Sequence, residues 1–185
     1  MADTEHDIIA ATQTWLEKAV IGLGLCPFAA NAHLRKQIRY CVSTQQSSSG
    51  LIDDLTQELR RLQDADPQQC ETSLLIHPQV LNDFIDYNEF LNEADEKVRD
   101  LGLEGVLQIA SFHPCYQFSG SAPDDIENHS NRSPYPMLHL LREASVTRAV
   151  DTFPGIDAIA GKNSETLRRL GKEGWQRLFS RPMPQ

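Results

Sequence analysis

The chain has 185 residues and a formal net charge of −9 at pH 7. This length predicts one domain over residues 1–185, with a core large enough to fold without a metal or disulfides. The acidic charge disfavours nucleic acid and anionic membranes as partners, because both require a basic face.

The cysteines and the N-terminal residues narrow the class of protein further. The four cysteines are widely spaced and form no Cys-x-x-Cys pair, which indicates neither a disulfide framework nor a closed zinc site. The chain begins without a basic region followed by an apolar one, and no run approaches the roughly 18 apolar residues of a membrane span. We therefore expect a cytoplasmic protein.

The first half of the chain alternates helical and strand patterns. Apolar residues at three-and-four spacing predict a helix over residues 5–22, with Thr4 as its cap. Residues 38–44 alternate and are rich in β-formers, which predicts a strand. A second helix is expected over residues 52–62 and a second strand over residues 72–76.

The second half begins with the same alternation and then becomes polar. A third helix is expected from the cap Asn82 to residue 101, and a third strand over residues 106–112. Residues 116–132 are rich in Gly, Ser, Pro, Asp and Asn and predict a long loop. Ser133 is a favourable helix cap and Pro134 suits a first helical position, so a helix is expected there. The last helix is expected over residues 164–179.

This order of elements predicts the fold class. Crossovers of about 27 residues are long enough to return each strand parallel to the previous one. The expected fold is α/β or α+β, with a small, mostly parallel, three-stranded sheet flanked by helices. Ligands of such sheets bind at the carboxyl ends of the strands, so we expect a pocket there, roofed by residues 114–133.

Two of the predicted strands end in His-Pro, at His77 and at His113. Their carboxyl ends should lie on one edge, which would bring both histidines to the side of the polar loop. In a purely structural interpretation, the proline stops the strand and the histidine fills a hydrogen-bonded position at its end.

The predicted helix from Pro134 carries the first candidate catalytic group. His139 and Glu143 are four residues apart, and Arg142 is three from His139, so the three side chains would share one side of a helix. A carboxylate that orients a histidine makes it more basic, as a general base requires. The predicted catalytic residues are His113, His139 and Glu143, although His-x-x-x-Glu is also a common surface pair.

Arg132 and Arg142 are the candidate anion ligands. Both would lie near the N-terminus of the predicted helix, where free N–H groups also attract a carboxylate or phosphate. In an alternative interpretation, Arg132 anchors the loop through Asp125 or Glu127. Asn128, Asn131 and Tyr135 complete the predicted substrate-binding set, with turn formation as the alternative for the asparagines.

A metal site is a second use of the same residues. His113, His139 and Glu143 would provide the two histidines and one carboxylate of non-haem iron or catalytic zinc sites. Asp125, Glu127 and His129 are further candidate ligands in this stretch. The spacing of these residues does not distinguish a divalent metal such as Fe or Zn from metal-free acid–base chemistry.

Cys26 is the remaining candidate. It precedes Pro27, which could begin a helix whose N-terminus lowers the pKa of the thiol. A helix, however, and not a strand, precedes this cysteine in the predicted order, which favours a buried structural residue over a reactive thiol or soft ligand.

Three segments carry a resemblance to a known family. They are residues 127–145, residues 108–114 and residues 24–29, with the sequences ENHSNRSPYPMLHLLREAS, QIASFHP and GLCPFA. The chain resembles, over nearly its whole length, the bacterial DUF1415 family, a domain of unknown function. The resemblance implies no activity that can be transferred.

Three functional hypotheses follow. The first is an enzyme acting on a small anionic metabolite, with Arg132 and Arg142 holding the anion, His113 and His139 exchanging protons or holding a metal, and Glu143 orienting His139. The second is a non-catalytic sensor or binding protein for a metabolite, metal or haem, with Cys26 as a soft or haem ligand. The third is a structural module whose polar loop is covered by a partner.

Overall fold

The computed structural model describes residues 3–152 and 159–180. These residues form six α-helices and four strands, with a π-helical turn at Leu16–Ile21 and a 3-10 helix at Ile126–Ser130. In chain order the elements are α1 Glu5–Trp15, α2 Ala29–Leu34, β1 Ile38–Val42, α3 Ser48–Asp64, β2 Thr72–Ile76, α4 Phe84–Asp100, β3 Leu107–Phe112, β4 Met137–Arg142, α5 Glu143–Thr152 and α6 Ile159–Phe179. Among these helices, none combines the length and the apolar character that crossing a bilayer requires.

Local signals place the first helix and the three expected strands correctly. Thr4 caps α1 with a reciprocal pair of hydrogen bonds to Asp7, in which Thr4 Oγ1 accepts from the Asp7 N–H at 3.2 Å. The expected cap of α4 is off by one residue, because Asp83 and not Asn82 accepts from the first free N–H groups. These contacts satisfy donors that a helix start leaves open.

The four strands form one mixed sheet in the order β1-β2-β4-β3. β1 and β2 pair in parallel, whereas β4 is antiparallel to both β2 and β3. The prediction of three mostly parallel strands is therefore wrong in number and pairing. The strands β1, β2 and β3 nevertheless point the same way, so their carboxyl ends do share one edge.

The segment expected to be a helix from Pro134 contains β4 instead. Met137–Arg142 is rich in Leu and Met, which favour helices locally, but pairing overrides this preference. β4 lies between two strands and pairs with both, and the Pro136 carbonyl extends the ladder by accepting from the His77 N–H at 3.0 Å. Only from Glu143 onward is the chain helical.

Alternation along the strands divides the core into two faces. On one face, Leu75, Leu138 and Leu140 are fully buried against α3 and α4. On the other, Ile76 and Met137 pack with apolar residues of α1 and of the π-helical turn. Each fully buried leucine stabilises the fold by roughly 1.5–3 kcal/mol relative to an exposed one.

Candidate functional site

The carboxyl edge of the sheet brings His77 and His113 into contact with one tyrosine. The ring of Tyr87, from α4, lies 5.7 Å from the ring of His77 and 5.0 Å from that of His113. Its hydroxyl donates to the Met137 carbonyl at 2.9 Å and accepts from the Phe112 N–H at 3.0 Å. Tyr87 therefore joins the ends of β3 and β4.

Both histidines are fully buried and bonded to the backbone. His113 Nε2 donates to the Leu81 carbonyl at 3.2 Å and Nδ1 accepts from the Cys115 N–H at 3.0 Å, which fixes a neutral tautomer. His77 Nδ1 donates to the Val80 carbonyl at 2.9 Å, while Nε2 is buried without a hydrogen bond. Burial lowers the pKa of His113 and lowers that of His77 to about 4.

His139 lies in β4, on the face of the sheet that packs against α1. Its Nε2 is 2.7 Å from Thr72 Oγ1, and that hydroxyl donates to the Leu140 carbonyl at 2.6 Å. Because a hydroxyl has one proton, His139 Nε2 must be the donor in the first bond. Burial lowers the pKa of His139 to about 4, so the ring is neutral at pH 7.

The expected grouping of His139, Arg142 and Glu143 on one helix side is wrong, because two of the three are in a strand. Arg142 Nη2 donates to the carbonyls of Leu62, Ala65 and Cys70, at 2.6, 2.8 and 3.1 Å. The guanidinium thus binds the C-terminal end of α3 and the loop after it. A role of Arg142 in anion binding stays a prediction without support from these contacts.

The predicted set of His113, His139 and Glu143 is not assembled, either as a catalytic group or as metal ligands. His113 follows β3 at the carboxyl edge, whereas the Glu143 N–H bonds to the Val106 carbonyl at the opposite end. At about 3.3 Å per residue, the strand separates them by roughly 20 Å. Within residues 3–152 and 159–180, no group of three or more His, Cys, Asp or Glu side chains is placed to hold a metal.

The predicted substrate-binding asparagines organise the loop. Asn128 is fully buried; its side-chain oxygen accepts from the Phe118 N–H at 3.0 Å and from Ser121 Oγ at 2.8 Å. Asn131 Nδ2 donates to the Ser111 carbonyl at 3.1 Å. These contacts correspond to the turn-forming alternative, and ligand binding by either asparagine stays a prediction.

Tyr135 and Cys26 lie apart from the sites described so far. The Tyr135 hydroxyl donates to the Asp3 carboxylate at 2.7 Å, and burial together with this bond raises the pKa of Tyr135 to about 12. Burial likewise raises the pKa of the Cys26 thiol, although N–H groups of Phe28 and Ala29 act in the opposite direction. The thiol is therefore protonated at pH 7, as expected of a structural cysteine.

A cleft of about 480 Å³ opens between α1, the polar loop and α6. It is lined by Ala11, Thr14, Trp15, Pro114, His129, Arg132, Ser133, Pro134, Trp175 and Phe179. Both tryptophans of the chain are in this set. The volume is in the range of small-molecule sites, and the walls are mainly apolar and aromatic, as such sites usually are.

Arg132 is the charged residue of the cleft lining. It anchors the loop, as the structural alternative proposed, but through main-chain carbonyls and not through Asp125 or Glu127. Its Nε donates to the Tyr116 carbonyl at 3.1 Å and its Nη2 to the Pro123 carbonyl at 2.6 Å. A guanidinium has five N–H groups, and within residues 3–152 and 159–180 those of Nη1 have no hydrogen-bond acceptor.

His129 contributes the titratable imidazole of the cleft lining. Its Nδ1 donates to the Ile126 carbonyl at 3.1 Å, so Nε2 is the free acceptor of the neutral ring. Burial, assisted by the nearby charges of Arg132 and Lys172, lowers the pKa of His129. The ring is consequently neutral at pH 7 and able to accept a proton.

Sequence reasoning identified the polar loop but not the helices that face it. Five of the lining residues fall between Pro114 and Pro134, close to the expected roof at 114–133. The contributions of α1 and α6 were missed. Trp175 and Phe179 are four residues apart on the expected last helix, and this aromatic pair was the available signal.

Comparison with protein-family models matches residues 7–177 to the family described as protein of unknown function (DUF1415). No curated protein and no solved structure matches the chain. The matched region contains all residues that line the cleft except Phe179.

Proposed function

Since this chain belongs to the DUF1415 family, whose description assigns no activity, we propose a function from the cleft itself: the protein is an enzyme that acts on a small anionic metabolite. One observation carries the proposal. The cleft lining includes Arg132, and none of the lining residues, all within the described part of the chain, is acidic. The chain as a whole has a net charge of −9 and should repel anions, whereas the cleft lining is locally positive and should attract them.

Arg132 is the proposed anion ligand. The Tyr116 and Pro123 carbonyls hold its Nε and Nη2, which fixes the plane of the guanidinium before a ligand arrives. A preorganised fork binds a carboxylate or phosphate with less loss of side-chain entropy than a mobile lysine. The mainly apolar and aromatic lining lowers the local dielectric around a bound group, which strengthens a charge-assisted hydrogen bond.

His129 is the proposed acid–base residue. Its Nδ1–H is fixed by the Ile126 carbonyl, so Nε2 is held as the acceptor, the arrangement that a general base requires. Because the pKa of His129 is lowered, the base form persists at neutral pH. Turnover is expected to be lost only as the pH falls below the ordinary histidine value of about 6.5.

The binding step is tested with an anionic probe and a neutral probe. Benzoate and benzamide have similar shape and size, but only benzoate is an anion. Isothermal titration with the wild-type protein is expected to detect benzoate at millimolar concentration and to show benzamide binding at least about tenfold more weakly, a difference of about 1.4 kcal/mol. Equal binding of the two probes, or binding of neither, would refute the proposal.

The catalytic step is tested separately, with His129→Gln as the variant. Protein is incubated with the small-molecule fraction of a bacterial extract, and mass spectrometry follows which anions disappear. The wild type is expected to consume at least one anion that His129→Gln leaves intact. Preserved folding of the variant is checked by circular dichroism.

The second candidate function is binding without turnover. It is favoured by Ser133, the buried hydroxyl of the cleft, because its Oγ donates to the Tyr135 carbonyl at 2.7 Å and is not poised as a nucleophile. Selective benzoate binding without consumption of any anion would favour this second function over the enzyme.

A further inference from the structure

Helix α6 is sharply bent at Gly171, next to the cleft. Gly171 has φ +67° and ψ 171°, although the residues before and after it are helical. This combination is essentially restricted to glycine. A Cβ built on Gly171 would meet nothing within 4 Å, so it is the backbone torsion, and not lack of space, that requires glycine there.

The bend is closely packed. A Cβ at Gly174 would lie 2.7 Å from Leu170 Cδ1 and 2.8 Å from Leu170 Cγ. Gly174 is buried. The side chain of Leu170, before the bend, therefore occupies the space that a side chain at position 174, after the bend, would need. The two parts of α6 therefore have a fixed relative orientation.

Ion pairs attach both parts of α6 to the polar loop. Arg168, before the bend, pairs with Glu127. Lys172, after the bend, lies 3.9 Å from the Asp124 carboxylate. Exposed pairs of this kind each contribute little to stability, but the two pairs lie on either side of the bend and favour its direction.

The direction of the bend places Trp175 in the cleft. The Trp175 ring lies 4.7 Å from the His129 ring, at an interplanar angle of 68°, and 5.6 Å from the Phe179 ring, at 63°. Both contacts are T-shaped, with the edge of one ring against the face of the other, so the three aromatic groups form an angular wall and not a parallel stack. Trp15 also lines the cleft, and its indole Nε1 donates to the Arg132 carbonyl at 2.8 Å.

From this arrangement we infer that the cleft is selective for planar aromatic anions, and that the bend at Gly171 produces this selectivity by positioning Trp175. The inference rests on the proposed function and specifies the substrate class. A flat ring lies against an indole face while its carboxylate reaches Arg132. A saturated ring of equal charge is thicker, and it lacks the π-system that aromatic pairing requires.

The test compares benzoate with cyclohexanecarboxylate, which have the same charge and differ in the planarity of the ring. Isothermal titration with the wild type is expected to show benzoate binding about tenfold more tightly, the effect of one well-formed aromatic pair. Trp175→Leu is expected to abolish this preference while both carboxylates still bind. Gly171→Ala is expected to do the same, because the alanine cannot adopt the torsion and the end of α6 is redirected.

Gly161→Ala is the matched control. Gly161 lies in the helical part of α6, and a Cβ there meets nothing within 4 Å. This variant is expected to keep the full preference for benzoate. Circular dichroism verifies that each variant is folded. If Gly171→Ala does not fold, the comparison of the two carboxylates in Trp175→Leu still tests whether Trp175 produces the preference for benzoate.

The outcomes separate this inference from the proposed function. Equal affinities of the wild type for the two carboxylates, with benzamide still rejected, overturn the aromatic selectivity and leave the anion site intact. A preference that persists in Gly171→Ala overturns the role of the bend. Failure of every carboxylate to bind refutes the proposed function itself.

Discussion

Acid should destabilise this protein through His77. The residue is fully buried, stacks on Tyr87, and leaves Nε2 without a hydrogen bond. The charged groups around His77 do not stabilise a proton on its ring. His113, when protonated, repels that proton, and the carboxylate of Asp83 raises the pKa of His113 and not that of His77. Burial therefore lowers the pKa of His77 to about 4.

The sign and magnitude follow from linkage. The folded-state pKa of His77 is below its unfolded value of about 6.5, so the unfolded state binds more protons between these values. The stability that His77 contributes is fully present above about pH 6.5 and is lost as the pH falls toward 4. A difference of about 2.5 units, at 1.36 kcal/mol each, corresponds to about 3 kcal/mol.

Urea unfolding at pH 7 and pH 4 measures this effect. His77→Asn is the variant, because the asparagine amide can still donate to the Val80 carbonyl but does not titrate. It will be less stable at pH 7, where the stacking on Tyr87 is lost. Between pH 7 and pH 4, however, the wild type should lose about 3 kcal/mol more than the variant. Parallel losses in the two proteins would refute the reasoning.

Three further substitutions test other contacts. Tyr87→Phe should lower the free energy of unfolding by about 1–3 kcal/mol, measured in urea, since it leaves the Met137 carbonyl and the Phe112 N–H without their buried partner. Glu58→Ala should cost about 1–3 kcal/mol in the same assay, because the Ser73 hydroxyl and the Arg39 guanidinium lose their buried acceptor. Arg142→Lys should lower the melting temperature yet leave benzoate affinity unchanged; weakened binding would instead support its role as an anion ligand.

The parts of the fold that the sequence predicted are those with local causes. The cap at Thr4, the alternation over residues 38–44 and the apolar strand over residues 72–76 each act within a few residues. β4 could not be predicted in this way, because Met137–Arg142 contains helix-forming side chains behind two prolines. Its strand conformation depends on pairing with both β2 and β3. Such long-range pairing cannot be predicted from the residues of the segment itself.

The candidate site was predicted in part for the same reason. The polar loop is visible in composition, and Arg132 was identified in it. The other walls of the cleft depend on the packing of α1 and α6 near that loop, which the sequence does not reveal. They depend also on the bend in α6, and a single glycine in a helical pattern does not predict a bend. The spacing of Trp175 and Phe179 indicates an aromatic pair on one side of the helix, but it does not reveal that this side is open to a ligand.

The two tryptophans give the most direct test of the central claim, that the cleft binds a small anion through Arg132. Trp15 and Trp175 are the only tryptophans in the sequence and both line the cleft, so the two indole N–H signals in a ¹H–¹⁵N spectrum both report on it. We predict that benzoate shifts both signals in the wild type, that benzamide shifts neither, and that Arg132→Gln removes the benzoate response while the rest of the spectrum remains that of a folded protein. Indole signals that ignore benzoate in the wild type, or that respond equally in Arg132→Gln, would contradict the claim.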